Sequence, residues 1–286
     1  MEILINGNPA DITLDTEKNL GEVLSGLELW ISSSGHRIYE VRLNGKEIPV
    51  DTLNEIFDKE LSEIKKLEIK VNLWRELALE ALETLHDICT IWAKSTFEER
   101  ENLVTIWEGS PASRFMVTDM QDIELLRSNS FKGQETLTIE GLIFIIDERK
   151  RELNDPVKEI NNIELLTAGI KERMEELPLD MQTGKDKRAA ETIQLFSQIG
   201  EKLFRLYFIF SSEGFSPEDY TIDNVPVKTF ITEFKSAISE LSDAYANQDT
   251  VLAGDIAEYE LSPRLWNFYT TLKEYSNMVY NISSGS

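Results

Sequence analysis

Over residues 1–73 the apolar positions change period within short distances, alternating singly in some stretches and recurring every third or fourth residue in others, which is the pattern of mixed strands and helices. Ile3 and Ile5 lead into Asn6-Gly7, and Ala10, Ile12 and Leu14 then alternate with Asp11, Thr13 and Asp15, predicting a hairpin about a turn that favours positive φ. Leu20, Val23, Leu24, Leu27, Trp30 and Ile31 form one helical stripe, with Gly35 placed as a left-handed cap. Tyr39, Val41 and Leu43 alternate with Glu40 and Arg42 before a second turn at Asn44-Gly45. Leu53, Ile56, Phe57 and Leu61 predict a short helix, and Leu67, Ile69 and Val71 a closing strand.

From Trp74 onward the apolar period stays helical. Trp74, Leu77, Ala78, Ala81, Leu85, Ile88, Cys89 and Trp92 line one face. Thr96 with Glu99 is a capping box, and the helix it opens ends at Gly109 with Pro111 beyond. A helix over 112–127 and a loop over 128–134 follow. Leu142, Ile145, Ile146, Arg149 and Leu153 predict another helix, although 142–146 alone also reads as a buried strand. Asp155-Pro156 starts a helix that runs to Pro178, with a turn over 179–184. A long helix then reaches Gly214, and its stretch 203–210, LFRLYFIF, is apolar nearly all round, the mark of a bundle centre. After a polar loop over 214–225, Pro226 opens a helix, and residues 249–286 make one or two more, divided near Pro263. The reading is α+β: a small N-terminal domain, 1–73, followed by a larger all-α helical bundle, 74–286, of about eight helices.

The order strand, strand, helix, strand, short helix, strand over residues 1–73 resembles the β-grasp fold of ubiquitin and of the small sulfur carriers of thiamine and molybdopterin biosynthesis. Its most specific part is the opening Glu2-Ile3-Leu4-Ile5-Asn6-Gly7, followed by the helix start Leu20-Gly21-Glu22-Val23-Leu24. The resemblance implies a β-grasp domain. The carriers end in Gly-Gly directly after the last strand, because their chemistry adenylates a flexible terminal carboxylate. Here Val71 runs into Asn72, Leu73 and Trp74, so the resemblance carries the fold and not the activity.

Charge narrows the partners. Lys+Arg 29 against Asp+Glu 52 gives a net charge of -23, a field that repels phosphate backbones and anionic headgroups. The strongest basic cluster, Lys185, Lys187 and Arg188, is interrupted by Asp186. Neither nucleic acid nor membrane is expected as a partner. A single cysteine, Cys89, excludes an internal disulfide, and with no signal-peptide pattern or long apolar run it predicts a cytoplasmic protein.

Candidate chemistry is sparse, because His36 and His86 are the only histidines. Glu83-x-x-His86 has the spacing of one half of a di-iron site, which needs a second copy that the chain lacks, and His86-Asp87 lacks the further histidines of HD phosphohydrolases. Gln182-Thr183-Gly184-Lys185-Asp186 has Leu179 and Asp186 where a phosphate loop needs Gly and Ser or Thr. Cys89 sits among Ile88 and Trp92 as an inert thiol. No catalytic residue, metal or cofactor is expected.

Asp255 shares a helical face with Leu252 and Tyr259, so it either bonds a neighbouring helix or grips a partner. With Trp266, Phe268, Tyr269 and Tyr275 it forms the candidate partner-binding set Asp255, Tyr259, Trp266, Phe268, Tyr269 and Tyr275. The leading expectation is a non-enzymatic cytoplasmic adaptor that binds another protein, for example through an amphipathic helix. The acidic helical body is similar to bacterial chaperones of flagellar and secretion substrates, a likeness that implies a role in assembly or export. Two alternatives stand beside it. One is a hydrolase using carboxylates alone or with Mg, with Glu83, Glu148 or Asp255 in a cleft between the domains. The other is a structural subunit of a larger complex.

Overall fold

A computed structural model describes residues 1–12, 14, 17–48, 55–133, 137–212 and 220–284. Thr13, Asp15, Leu53, Gln134 and Gly214, which the sequence reading placed in a strand, a short helix, a loop and a helix end, lie outside the described residues. The chain is α+β, a mixed sheet followed by a helical region. It forms two compact units, Met1–Lys150 and Arg151–Ser286. The first therefore holds the sheet together with the helices that follow it.

In the first unit, β1 (Glu2–Ile5) turns through Asn6 and Gly7, with φ of 48° and 78°, into β2 (Asn8–Pro9). Helix α1 (Leu20–Ser33) follows, with Asn19 as its cap, the side chain accepting from the Glu22 amide at 3.0 Å. Strand β3 (His36–Leu43) and β4 (Lys46–Ile48) flank a second turn at Asn44 and Gly45, and β5 (Lys66–Leu73) closes the sheet in the order β2-β1-β5-β3-β4. Strand β1 runs parallel to β5, and β5 antiparallel to β3. The two turn asparagines also knit the sheet. The Asn6 side chain donates to the Val71 carbonyl at 3.0 Å and accepts from its amide at 2.9 Å, extending the β1–β5 ladder. The Asn44 side chain accepts from the amides of Lys65 and Lys66 at 2.9 and 3.0 Å. One face of the sheet, with Ile3, Val41, Leu43, Leu67 and Ile69, packs on Leu20, Val23, Leu24, Leu27 and Ile31 of α1, and among the described residues no charged side chain is buried in this module.

Helix α2 (Trp74–Trp92) leaves β5 without a linker, and α3 (Phe97–Glu108) carries the expected capping box. The single helix expected over 112–127 is two, α4 (Pro111–Asp119) and α5 (Gln121–Phe131), broken at Met120, whose side chain is buried. Helix α5 continues through Ser128–Ser130 despite their poor propensity because Phe131 stacks on Trp92, ring centroids 4.0 Å apart. Residues 142–146 are helical, inside α6 (Ile139–Asn154), which settles their strand alternative.

In the second unit, α7 (Pro156–Asn162) and α8 (Glu164–Gln182) replace one expected helix, and Pro178 lies inside α8 rather than ending it. Gly254 lies directly against the proline ring: a Cβ on residue 254 would stand 3.0 Å from Pro178 Cβ, so the close approach of the two segments leaves no room for a side chain there. The last turn of α8 is further held by buried Asp180, which pairs with Lys185 at 3.1 Å and with Arg188 Nε at 3.2 Å. Both partners belong to the turn and first residues of α9 (Asp186–Ser212). Within the expected polar loop lies a short hairpin, β6 (Thr221–Ile222) and β7 (Val225–Pro226), turned by Asp223 and Asn224 at φ of 55° and 63°. Then come α10 (Val227–Ala246), α11 (Thr250–Asp255), a π-helical stretch Ile256–Leu261, and α12 (Ser262–Ser284). Aromatic rings fill this interior: Phe204 lies 5.6 Å from Phe234 and 5.2 Å from Phe268, and Phe210 meets Tyr275 edge-on at 5.6 Å. The centre expected at 203–210 is there, although Phe208 is exposed.

Candidate functional site

The six C-terminal candidates separate into two groups. Phe268, Tyr269 and Tyr275 are buried in the aromatic interior and touch no solvent-facing surface a partner could reach, a correction to their reading as anchors. Burial also pushes the Tyr269 phenol above its ordinary pKa, opposed by Lys273 above its ring. Trp266 is partly buried, 5.5 Å from Tyr269. Asp255 and Tyr259 do share an exposed face with Leu252, and Tyr259 is 68% exposed. The supposed cost of burying the Asp255 carboxylate therefore does not arise. The shared face is the one the spacing predicts, but it is turned to solvent. Ala253, Gly254, Ile256, Ala257 and Leu261 face inward instead. Glu258, bonded to the Tyr259 hydroxyl, raises that phenol's pKa, with Asp255 adding to it.

The chemical candidates are accounted for by their neighbours. His86 lies between Asp87 and Asp147, its ring nitrogens 3.8 and 3.7 Å from their carboxylates. Glu83 faces Lys150 at 4.0 Å. Cys89 is fully buried, and that burial pushes its thiol up to about 12, with Arg127 pulling the other way. The Gln182–Asp186 segment is a helix-to-helix turn, Gly184 at φ 70°, with Lys185 committed to Asp180. Glu83 and Glu148 belong to the first unit and Asp255 to the second. Among the described residues no group of three or more His, Cys, Asp or Glu side chains is placed to hold a metal ion, and no described helix is long and apolar enough to cross a membrane.

Sequence reasoning missed the buried charges: Arg127, paired with Glu124, in the first unit, and a larger set in the second. Glu152 takes a two-pronged contact from Arg205, at 2.8 and 2.7 Å, and Lys202 bonds Glu159 at 2.7 Å while standing 3.5 Å from Glu152. Both carboxylates are held by charge-assisted hydrogen bonds. The cluster fixes α6, α7 and α9 together and offers nothing to a substrate.

A concave surface with an apolar floor lies in the sheet module. Between α1 and the β1–β2 hairpin runs a groove of about 710 Å³, lined by Ile5, Pro9, Ala10, Ile12, Leu14, Val23, Gly26, Leu27 and Trp30, with Asn8, Asp11 and Glu17 at its polar margin. Val23, Gly26, Leu27 and Trp30 are spaced at i, i+3, i+4 and i+7 and so form one wall from a single helical face. Val23 and Leu27 reach the core, but Trp30 is 62% exposed. The sequence reading counted Trp30 among the buried stripe. The six-position stripe is wider than the sheet beneath it can cover, and that excess width was the signal available.

Residues 1–72, the sheet module, match a family model described as TP0873 N-terminal domain, and residues 158–271, within the second unit, match one described as Domain of unknown function (DUF8042). The chain is similar to an uncharacterized protein of Treponema pallidum (strain Nichols), 25% identical over 177 residues, which is 62% of this chain and 84% of that protein. No solved structure matches it.

The groove thus falls wholly inside the segment matched by the first family model. The aromatic interior and most of the buried charges fall inside the second or at its edge, with Arg127 and Glu152 outside it.

Proposed function

We propose that this chain is a non-enzymatic cytoplasmic adaptor that holds a segment of another protein in the groove between α1 and the β1–β2 hairpin. Residues 1–73 are read here as a β-grasp domain used as a binding scaffold, a reading supported by the strand order β2-β1-β5-β3-β4 with one helix across the sheet. The helical region that follows is divided, its helices up to Lys150 belonging to the unit of the sheet and the rest, Arg151–Ser286, forming the second unit. The observation that carries the proposal is Trp30: a large aromatic side chain left 62% exposed at the rim of an apolar groove, the residue type and placement that anchor protein interfaces. The charge of -23 supports a protein partner over nucleic acid or an anionic membrane. A chaperone-like role in assembly or export fits the same surface.

The test compares capture of a stoichiometric partner from native lysate by the intact chain and by Trp30→Ala. Retention by the intact chain and loss by the variant, with an unchanged melting temperature, is the expected result. Equal capture by both would remove the groove from the function.

A further inference from the structure

The walls of the groove say what kind of segment fits it. Its lining carries Asp11 and Glu17 and, among the described residues, no Lys or Arg; Lys18 stands outside it. Helix α1, which supplies one wall, bears Glu22 and Glu28 and no basic residue over its whole length. An apolar floor under acidic margins, on a chain of net charge -23, complements an apolar stripe flanked by cations.

The backbone next to the groove disfavours strand addition. Strand β1 is bonded on one side to β2 and on the other to β5. On β2, the Ala10 amide points inward to the Ile3 carbonyl at 2.9 Å, so by alternation the nitrogen of Pro9 points outward. Proline has no N–H, so this edge offers an incoming strand no donor at residue 9. Side chains are therefore the better-placed means of recognition. Gly26 makes room for them: it lies mid-helix on the groove wall, where a Cβ would meet nothing within 4 Å, so the packing of the chain itself does not require a glycine there.

We infer that the occupant is a cationic amphipathic helix of a partner protein, its apolar stripe seated against Trp30 over Gly26 and its Lys or Arg residues facing Asp11 and Glu17. This rests on the groove reading above.

The indole N–H signals of tryptophan-labelled full-length protein report the site directly. Trp74, Trp92 and Trp107 are buried and serve as internal controls, and Trp30→Phe identifies the Trp30 signal. Three synthetic helical peptides are the probes: one with a Leu stripe among Lys residues, one with the same Leu stripe among Glu residues, and one with the Lys residues kept and Leu replaced by Ser. The Leu/Lys peptide is expected to move the Trp30 signal selectively. Asp11→Asn with Glu17→Gln should weaken that binding about tenfold, the effect shrinking as salt is raised. Gly26→Leu should abolish it. A Leu/Glu peptide or a Ser/Lys peptide that moves Trp30 as strongly as Leu/Lys, or a Leu/Lys peptide that leaves Trp30 unmoved, overturns the inference. If the peptides fail in this way while Trp30→Ala still abolishes capture of a native partner, the occupant is wrong and the groove stands. If Trp30→Ala leaves capture intact, the groove itself falls.

Discussion

The sheet module and the second helical unit solve burial in opposite ways. The module's core is apolar throughout, and its charges, such as Lys70 on Glu40 at 2.8 Å and Arg42 beside it, stay on the sheet's other face. The Lys70 hydrogen bond holds the Glu40 carboxyl below its ordinary pKa, with Arg42 helping. The second unit buries Glu152, Glu159, Asp180 and Lys202, each against a charged partner. A core of aliphatic side chains tolerates loss of volume in proportion to the atoms removed. A core with internal charge depends on every charge keeping its partner.

The largest effect should therefore follow from removing one charge. Lys202→Met leaves Glu159 without its cation and is expected to cost about 3–5 kcal/mol in denaturant melts, whereas Lys202→Met with Glu159→Leu should recover most of that. Equal losses for the single and double variants would make the second unit no different from the first. Ile69→Ala, in the sheet core, should cost about 3 kcal/mol, with no second-site charge change able to restore it.

A smaller effect is alkaline. The unfolded chain ionises Cys89 above its ordinary value of 9.0, while the fold keeps the thiol protonated up to about 12. Its contribution is fully present below pH 9 and lost as pH rises through that window; at pH 10 the loss is about 1 kcal/mol. Tyr207 and Tyr269, both raised by burial, add in the same direction at higher pH. Thiol-reactive reagents at pH 8 should leave Cys89 untouched until the protein unfolds. The smallest effects belong to the groove. Gly26→Ala should stabilise by about 0.5–1 kcal/mol, since nothing opposes the added methyl, and Trp30→Ala should change stability by less than about 0.5 kcal/mol. A strongly destabilised Trp30→Ala would place that ring in the core after all.

What could be read from the sequence is what neighbours along the chain decide. The Asn6-Gly7 and Asn44-Gly45 turns, the Thr96 and Glu99 box, and Pro226 before α10 all act within a few residues. The misread places depend on distant partners. Lys202 and Glu159 are 43 residues apart and neither is unusual in its own segment. Pro178 looks like a helix end but lies inside α8, with Gly254 set against it. Leu252, Asp255 and Tyr259 share the face their spacing predicts, but which of that segment's two faces is covered is decided by the helices packed on Ala253, Ala257 and Leu261. For the site, the apolar stripe was visible, but which of its six positions the sheet leaves uncovered depends on the width of a surface built from other strands.

Pro9 has a consequence for the molecule in concentrated solution. Two copies meeting along the outer side of that hairpin lose a main-chain donor at residue 9, and at the opposite margin of the sheet β4 is short and carries the exposed charges Lys46 and Glu47, which keep water on that edge. A protein that keeps a greasy trough open to solvent is thereby guarded against fibre growth by the same short hairpin that shapes the trough.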